Sequence, residues 1–355
     1  MSLAPVLRYV PTIAPVAYRA LLAVTGSHAS EFLNGVAAVA IRDPHKPCYT
    51  AFMQPQGRVL YDAFIYTHRS PDTGEPGYII EYDSRLTPDT PALPDLLKRY
   101  VLRSKVKLRD VSHEWDVWHA WGSRDTERFW DLERKWNWAK SGAIEPVWDV
   151  ISEWPWGTAD LAIHDRRAPG LGIRFLVKKG DKPAEASTHD VETQDAYTLH
   201  RIMHGVPEGF TDMPPTHAFP MESNLDIMGG LDFRKGCYVG QELTVRTYHT
   251  GAVRKRILPV VIHKPDEVPE TASPSESVSP LPADTIIEPR VVEGVRTRGG
   301  GKLLSNVHGL GLALLRLDQV EAADRGEVTF HMSPEGHPAM RVSHWWPVWW
   351  PAKTH

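Results

Sequence analysis

Residues 234–246 read RKGCYVGQELTVR and contain Cys237, one of two cysteines in a chain of 355 residues. Gly236 and Gly240 flank this thiol and permit a tight or left-handed backbone around it. A lone cysteine is usually a small buried hydrophobe, which is our interpretation of Cys48 in the strand-like HKPCYTAFM. The polar, glycine-rich neighbours of Cys237 set it apart from that pattern and indicate a functional thiol.

Basic residues are frequent around this cysteine. A local concentration of positive charge would favour the thiolate and attract an anion. The alternative, a solvated strand face that is simply basic, stays open. The residues concerned are Lys235, Arg246, Arg254, Lys255 and Arg256.

The chemistry open to Cys237 depends on partners for its thiol. A nucleophilic cysteine needs a base, but no histidine close in sequence is an obvious one, since His249 lies twelve positions further along the chain. An iron–sulfur cluster normally takes four protein ligands, mostly cysteines, so a cluster bound through Cys237 would need ligands from a partner. Cys48 lies 189 positions away. Two cysteines form no disulfide framework, and a single bridge is possible only if the fold brings them together, so a reducing compartment is favoured.

The composition is ordinary for a soluble globular protein, with 42% hydrophobic residues, 24% charged residues and a net charge of −4. It predicts no general affinity for nucleic acid. The length predicts two or three domains, and no apolar run approaches the roughly 18 residues of a membrane span. The N-terminal MSLAPVLRYVPTIAPVAYRA lacks the Arg- and Ser-rich pattern of a transit peptide. We expect any such signal to have been removed or never to have been present.

The N-terminal third predicts a mixed α and β layer. LLAVTGSHASEFLNGVAAVAI has the pattern of a strand, a turn and a helix, and CYTAFMQPQGRVLYDAFIYTH that of a hairpin. LPDLLKRYVLRSKVKLRDV places apolar residues on one helical face and then alternates as a strand. Antiparallel hairpins without repeated βαβ units favour an α+β fold over residues 18–112.

The C-terminal third predicts a small β-barrel. Short strand-like runs such as GLGLALLRL and GEVTFHM are separated by Gly, Asn and Pro. Residues 264–289 are rich in Pro, Ser and Glu and predict a flexible insertion. Nine tryptophans lie between Trp115 and Trp156, and the tail WWPVWWP adds four more. Such apolar bulk needs burial or a partner.

Two other motifs are rejected. GVRTRGGGKLL lacks the first glycine and the Ser/Thr of a phosphate-binding loop. His200 and His204 are four residues apart on a predicted helix, but no glutamate of a zinc-protease motif lies between them. We interpret these two histidines as surface residues.

The segment KGCYVGQE (235–242) resembles the signature of the YgfZ proteins and of their mitochondrial counterparts, the Iba-type iron–sulfur assembly factors, which are related to the GcvT aminomethyltransferases. Other segments follow in the order that this family shows: LLAVTGSHASEFLNGV, MQPQGRVLYDAFIY, LLKRYVLRSKVKL, RIMHGVPEG and MESNLDIMGGLDF. The resemblance covers most of residues 18–320.

The resemblance implies an α+β fold of three domains in a GcvT/YgfZ-like ring around a central cavity. Residues 1–112 and 113–250 would form two ferredoxin-like α/β domains, the second carrying KGCYVGQE, and 251–355 the β-barrel with the flexible insertion. It also implies maturation of 4Fe–4S clusters in the mitochondrial matrix. The partner would be an A-type (IscA-like) scaffold protein that shares the cluster, and the chain alone would be a monomer.

Carried over by residue, Cys237 resembles the essential thiol of the family and would be a cluster ligand. The motif around it comprises Lys235, Gly236, Tyr238, Gly240, Gln241, Glu242 and Arg246. Asp62, in QGRVLYD, resembles the carboxylate that faces the pterin in aminomethyltransferases, and tetrahydrofolate is the cofactor this implies. Glu222 and Asn224 are further candidates for the cavity lining.

This chain differs from the bacterial pattern in its tryptophan-rich region, its insertion and its WWPVWWP tail, which favour the mitochondrial branch. The transferases do not carry KGCYxGQE, so a non-enzymatic assembly factor is the first hypothesis. A thiol redox or repair module is the second. A folate-binding one-carbon transferase that uses Asp62 is the third.

Overall fold

The structure is a computed structural model of the chain. It describes residues 4–5, 10–41, 46–69, 74, 76–85, 87–88, 90–123, 134–148, 154–267, 269–275, 278–291 and 299–351. No helix among these residues is long and apolar enough to cross a membrane.

The elements of the N-terminal third combine strands with two helices in the described residues. They are β1 (Ala4–Pro5), β2 (Thr12–Pro15), β3 (Arg19–Thr25), α1 (Ala29–Val36), β4 (Cys48–Met53), β5 (Val59–Arg69), β6 (Pro76–Asp83), α2 (Leu93–Val101) and β7 (Lys107–Asp110).

The middle of the chain adds shorter strands followed by helices. They are β8 (Trp115–Trp121), β9 (Lys135–Trp138), β10 (Ile144–Val147), β11 (Ala162–His164), β12 (Ile173–Lys178), a 3-10 helix (Ala184–Ser187), β13 (Asp190–Val191), α3 (Gln194–Met203), α4 (Gly209–Asp212) and α5 (Gln241–Thr250).

The remaining elements are mainly strands. They are β14 (Lys255–His263), β15 (Thr271–Ala272), β16 (Ile286–Val291), β17 (Gly301–Val307), β18 (Leu310–Arg316), α6 (Leu317–Asp324), β19 (Val328–Met332) and β20 (Met340–His344).

The first sheet has the strand order β4-β5-β6-β3-β7 in the described part of the chain, with antiparallel neighbours throughout. Helices α1 and α2 cover one face, and their buried residues join the apolar side chains of that face. The predicted face of α2 is confirmed, because Leu93, Leu96 and Leu97 are all buried. The opposite face packs against the middle region, which explains why β5 is buried on both sides.

The second sheet has the order β11-β12-β8-β2-β13 among the described residues. Strand β2 pairs antiparallel with β8, and parallel with β13 on its other side. A strand of the predicted N-terminal domain (1–112) thus completes the sheet of the predicted second domain (113–250). The boundaries stay a prediction.

Strands of the C-terminal region close into a barrel in the order β14-β18-β17-β16-β19-β20, counted over the described residues. The predicted α+β fold with a C-terminal β-barrel is confirmed. The C-terminal end of the predicted insertion needs correction, because residues 286–289 lie in β16. There Ile287 is fully buried in the barrel core, and Leu281 of the same polar segment is buried in that core as well.

Candidate functional site around Cys237

The thiol lies on a short loop that precedes α5. Cys237 is exposed, whereas Tyr238, the next residue, is buried at 7% exposure. The stacked rings of Phe233 and Tyr248, 4.2 Å between centroids, join the start of the loop to α5. Burial raises the pKa of Tyr238 to about 12, so this phenol stays neutral. The loop therefore presents Cys237 outward between groups that are fixed inward.

Lys235 is directed into the protein. Its Nζ donates to the backbone carbonyls of Asn34 and Ala37, both at 2.7 Å, and of Val39 at 3.2 Å. Carbonyls at the C-terminal end of a helix carry partial negative charge, so the ammonium is attracted to the end of α1. Burial lowers the pKa of Lys235 to about 8. The lysine thus anchors the loop rather than facing solvent beside the thiol.

Gly240 begins α5 in a conformation that a side chain would strain. Its φ is +83°, and a Cβ atom there would lie 2.6 Å from the carbonyl oxygen of Gln54 and 2.8 Å from Cβ of Met53. Gly57 has a φ of +80°, and a Cβ atom there would lie 2.5 Å from Cβ of Leu243. The backbone of the β4–β5 turn thus contacts the start of α5 directly, and the two glycines permit this contact.

Replacing Gly240 with alanine should therefore destabilise the protein by roughly 2 kcal/mol or more, since a strained φ and a backbone clash add together. Gly236→Ala is the matched control within the same motif, because an added Cβ there would have open space around it to 4 Å and the backbone is not left-handed. Urea unfolding of both variants measures the difference. Equal stability of the two would contradict this account of Gly240.

The rest of the motif lies on α5. Gln241 is half-buried, and Glu242 and Arg246 are exposed. Arg254 is exposed and Lys255 half-buried, but Arg256 is buried and donates to both carboxylate oxygens of Asp226. The basic run predicted from the sequence is thus divided between internal anchors and surface charges.

Cys48 lies in β4 at 1% exposure. Burial raises the pKa of its thiol to about 12, although the charge of nearby Lys235 acts in the opposite direction. The thiolate is the reactive form of cysteine. The interpretation of Cys48 as a buried hydrophobe agrees with this geometry.

Alkylation should therefore distinguish the two thiols. With limiting iodoacetamide at pH 8, we expect peptide mass spectrometry to show nearly all modification at Cys237. Denaturing the protein first should bring the two cysteines to similar extents of labelling. Labelling of Cys48 in the folded protein at a rate comparable to Cys237 would contradict the burial of β4.

Asp62 lies in a buried ionic network between the two sheets. Its Oδ1 accepts hydrogen bonds from Arg19 at 3.0 Å and from the backbone N–H of Gly209 at 3.2 Å. Arg19 also contacts Glu81, which accepts two hydrogen bonds from Arg174. Burial raises the pKa of Asp62, and Arg19 only partly offsets this. The network joins Asp62 on β5 to β3, β6 and β12.

The fit of a pterin to Asp62 can be tested from this geometry. Asp62 Oδ2 and the Tyr49 hydroxyl are buried and have no hydrogen-bond partner within the described part of the chain, as a polar ligand would require. However, the side chain of Asp62 is only 1% exposed, and its other oxygen is held by Arg19. In this arrangement a pterin ring does not fit in contact with Asp62 unless packed groups move.

Glu222 and Asn224 lie apart from the ionic network. Asn224 is buried with a φ of +62°, and its Nδ2 donates to the carbonyl of Ile257 in β14 at 2.7 Å. Glu222 is half-buried, and burial raises its pKa. The described contacts place Asn224 against the first strand of the barrel.

The ionic network itself was not predicted from the sequence. Glu81, Arg174 and Glu208 have side chains with 0% exposure. The sequence does contain a sign of this network, because Glu81 interrupts the apolar run GYIIEYD and Arg174 the apolar run GLGIRFLV. Charged residues at such buried positions are found only when they are paired. The predicted surface position of the two helical histidines is also wrong for His204, which is buried beside His200. In the described ranges, no group of three or more His, Cys, Asp or Glu side chains is arranged to hold a metal ion.

Comparisons with known proteins match the chain over most of its length. A family model described as "CAF17, C-terminal beta-barrel domain" matches residues 254–352. A Cryptococcus neoformans protein named iron-sulfur cluster assembly factor IBA57 homolog, mitochondrial, is 40% identical over 88% of this chain and 85% of its own. The protein of the same name in Mycosarcoma maydis is 33% identical over 96% and 85%.

Among solved structures, the chain is similar to the glycine cleavage system aminomethyltransferase T from Bartonella henselae. The TM-score is 0.61 at 13% identity, with 96% of this chain and 86% of that chain covered. At this identity the likeness shows the fold alone, and it confirms the predicted GcvT-like architecture.

Proposed function

Because the chain belongs to the family of IBA57-type mitochondrial iron–sulfur cluster assembly factors, we propose that it helps to form or transfer 4Fe–4S clusters together with an A-type scaffold protein. Cys237 serves as a shared ligand of the cluster, which is the cargo of the complex. The predicted mitochondrial localisation is confirmed by the names of the relatives. The matrix, as the compartment of this activity, is part of the proposal.

The observation that carries the proposal is the exposure of Cys237 between two inward-directed neighbours. Lys235 is bonded to the end of α1, and Tyr238 is buried. A ligand held on a fixed loop loses little conformational freedom when a partner binds. The geometry therefore supports a thiol that is presented to another protein.

The number of thiols supports a shared cluster. The chain has two cysteines, and Cys48 is buried in β4 with a raised pKa. An iron–sulfur cluster normally takes four protein ligands, mostly cysteines. Thiolates from a scaffold protein would complete the set around Cys237.

Anaerobic reconstitution tests the proposal. The chain and an A-type scaffold are mixed with iron and sulfide, separated by gel filtration, and examined by visible absorption and circular dichroism. We expect a co-eluting complex whose cluster spectrum differs from that of the scaffold alone. Elution as two separate proteins, with the cluster entirely on the scaffold, would refute a shared cluster.

Two alternative functions are each judged by a separate observation on this structure. The exposed thiol would equally serve a redox or repair module, for which the cluster experiment would give no joint spectrum. A folate-binding one-carbon transferase is less favoured, because Arg19 and the surrounding groups cover the Asp62 carboxylate.

A further inference from the structure

The turn between α2 and β7 exposes an apolar side chain at its tip. Leu102 is 87% exposed, the highest value among the large apolar residues that the structure describes. A single exposed leucine is common on protein surfaces and by itself means little. The backbone conformation and the charged neighbours of Leu102 make this one unusual.

The backbone of Leu102 is strained. The N–H of Ser104 donates to the carbonyl of Val101 at 2.8 Å, which closes a four-residue turn. Leu102 is its second residue, with φ +46° and ψ −110°, close to the values of a type II′ turn, in which glycine is preferred at this position. A leucine side chain is unfavourable there, and its exposure means that packing does not offset the strain. Neither local conformation nor burial accounts for a leucine at position 102.

The residues around Leu102 are basic. The segment 98–109, which we call the basic turn, contains no Asp or Glu, and its exposed cations are Lys98, Arg99, Arg103, Lys105, Lys107 and Arg109. Lys98 pairs with Asp95, and Arg109 pairs with Glu114. The other four cations form no ion pair among the described residues. Their charge is therefore available to an anionic partner.

Protection of a sheet edge explains only part of this pattern. Strand β7 lies at the edge of the first sheet as described, and charged residues on an edge strand prevent pairing with other chains. Lys107 and Arg109 in β7 fit that role. Arg99 on α2 lies outside the edge strand, and an exposed leucine beside the edge would work against such protection.

The composition of the basic turn favours a lipid surface over an acidic protein. The centre of a protein–protein interface is apolar and depleted in lysine, whereas here one leucine stands among cations. An anionic phospholipid surface needs no matching shape. It attracts Lys and Arg side chains and accepts an apolar side chain at the boundary between headgroups and acyl chains.

We propose that the basic turn binds an anionic phospholipid surface, with Leu102 inserted among the headgroups and the four unpaired cations close to their phosphates. The basic turn adjoins the start of α1, where the N–H of Lys105 donates to Nδ1 of His28 at 3.2 Å. The loop of Cys237 adjoins the other end of α1 through Lys235. The eight residues of this helix span about 12 Å, so lipid and a partner at Cys237 would contact different places.

Vesicle flotation of the full chain tests the proposal. One set of vesicles is phosphatidylcholine alone, and the other contains phosphatidylcholine and phosphatidylglycerol in equal amounts. At low salt we expect the protein to partition at least about tenfold more strongly onto the anionic vesicles, and high salt should abolish the difference. No flotation with anionic vesicles, or equal flotation with both sets, would overturn the proposal.

Leu102→Gly separates binding from stability. Loss of the inserted side chain should weaken partitioning onto anionic vesicles about fivefold or more. The urea midpoint should not fall below that of the wild type, because glycine adopts a positive φ without strain. Val348→Ser, at a similarly exposed apolar residue of the C-terminal tail, is the control and should partition as the wild type does. Wild-type partitioning of Leu102→Gly would refute the insertion of Leu102.

A pair of double variants tests the charges. Arg99→Gln with Arg103→Gln should weaken partitioning about tenfold or more, whereas Lys264→Gln with Lys302→Gln, at two exposed lysines of the C-terminal region, should leave it unchanged. Equal losses in both double variants would refute this site. If the wild type ignores anionic vesicles while the arginine variant weakens the complex with the A-type scaffold, the basic turn binds a protein and the lipid proposal is wrong.

Discussion

Cys237→Ser is expected to abolish cluster retention in the complex with an A-type scaffold while leaving the fold intact. Serine is nearly isosteric with cysteine but is a poor ligand for iron in place of a thiolate. Because Cys237 is exposed, the free energy of unfolding should change by less than about 0.5 kcal/mol. Visible absorption of the gel-filtered complex should fall to the level of the scaffold alone.

Cys48→Ala is the matched control, since it removes the other thiol from a buried position in β4. We expect some loss of stability from the small cavity and a normal cluster spectrum. If Cys237→Ser retains the cluster, or if Cys48→Ala loses it while still folded, Cys237 is not the shared ligand.

Arg174→Met should produce the largest loss of stability, about 3–5 kcal/mol in the free energy of unfolding. The guanidinium of Arg174 donates to Glu81 at 2.6 and 2.9 Å and to Glu208 at 2.9 Å. Methionine fills similar space but leaves both carboxylates, whose side chains are fully buried, with fewer compensating charges. Chemical denaturation at pH 7 measures the loss.

The control for this variant is Arg325→Met, which breaks an exposed pair with Glu327. Its free energy of unfolding should stay close to that of the wild type, because exposed ion pairs contribute little to stability. Similar losses in the two variants would contradict a special role for the buried network.

The stability lost in Arg174→Met should depend on pH, because Arg174 lowers the pKa of a buried carboxylate. Burial alone would raise the pKa of Glu208, but Arg174 and Arg167 outweigh burial and hold that pKa well below its usual value. A lowered folded pKa stabilises the protein above the unfolded value, near about 4.3, and that contribution is lost as the pH falls. The difference in stability between wild type and Arg174→Met should therefore shrink below about pH 4.

Much of the fold could be predicted because the sequence patterns that indicate its helices and hairpins lie within short segments. The apolar face of α2 lies within nine residues, and the Gly- and Pro-containing turn between β4 and β5 marks a hairpin. Strand β2 is different, because TIAP gives no indication that its partner is β8, more than 100 residues later. Pairing between distant segments depends on the assembled surfaces and not on the pattern of either strand.

For the candidate site, the sequence identifies the key residues but not the partners that hold them. The motif pointed to Cys237, but nothing in the sequence distinguishes Lys235, which bonds to carbonyls near residue 37, from a solvated lysine. For Asp62, the resemblance predicts a carboxylate that faces a ligand, and the structure shows that one of its oxygens pairs with Arg19, 43 positions earlier. In both cases the partner is distant in sequence, and only the three-dimensional arrangement identifies it.

Strand β2 also constrains the order in which the chain can fold. During synthesis the N-terminal segment emerges first, and β3 to β7 can pair as soon as residue 110 is available. Strand β2 cannot pair until β8 has been synthesised, and its second partner, β13, is complete only at residue 191. Contacts of such sequence separation slow folding. The earliest strand of the second sheet is therefore among the last to be fixed, and a fragment that begins at residue 113 would lack the strand that lies between β8 and β13.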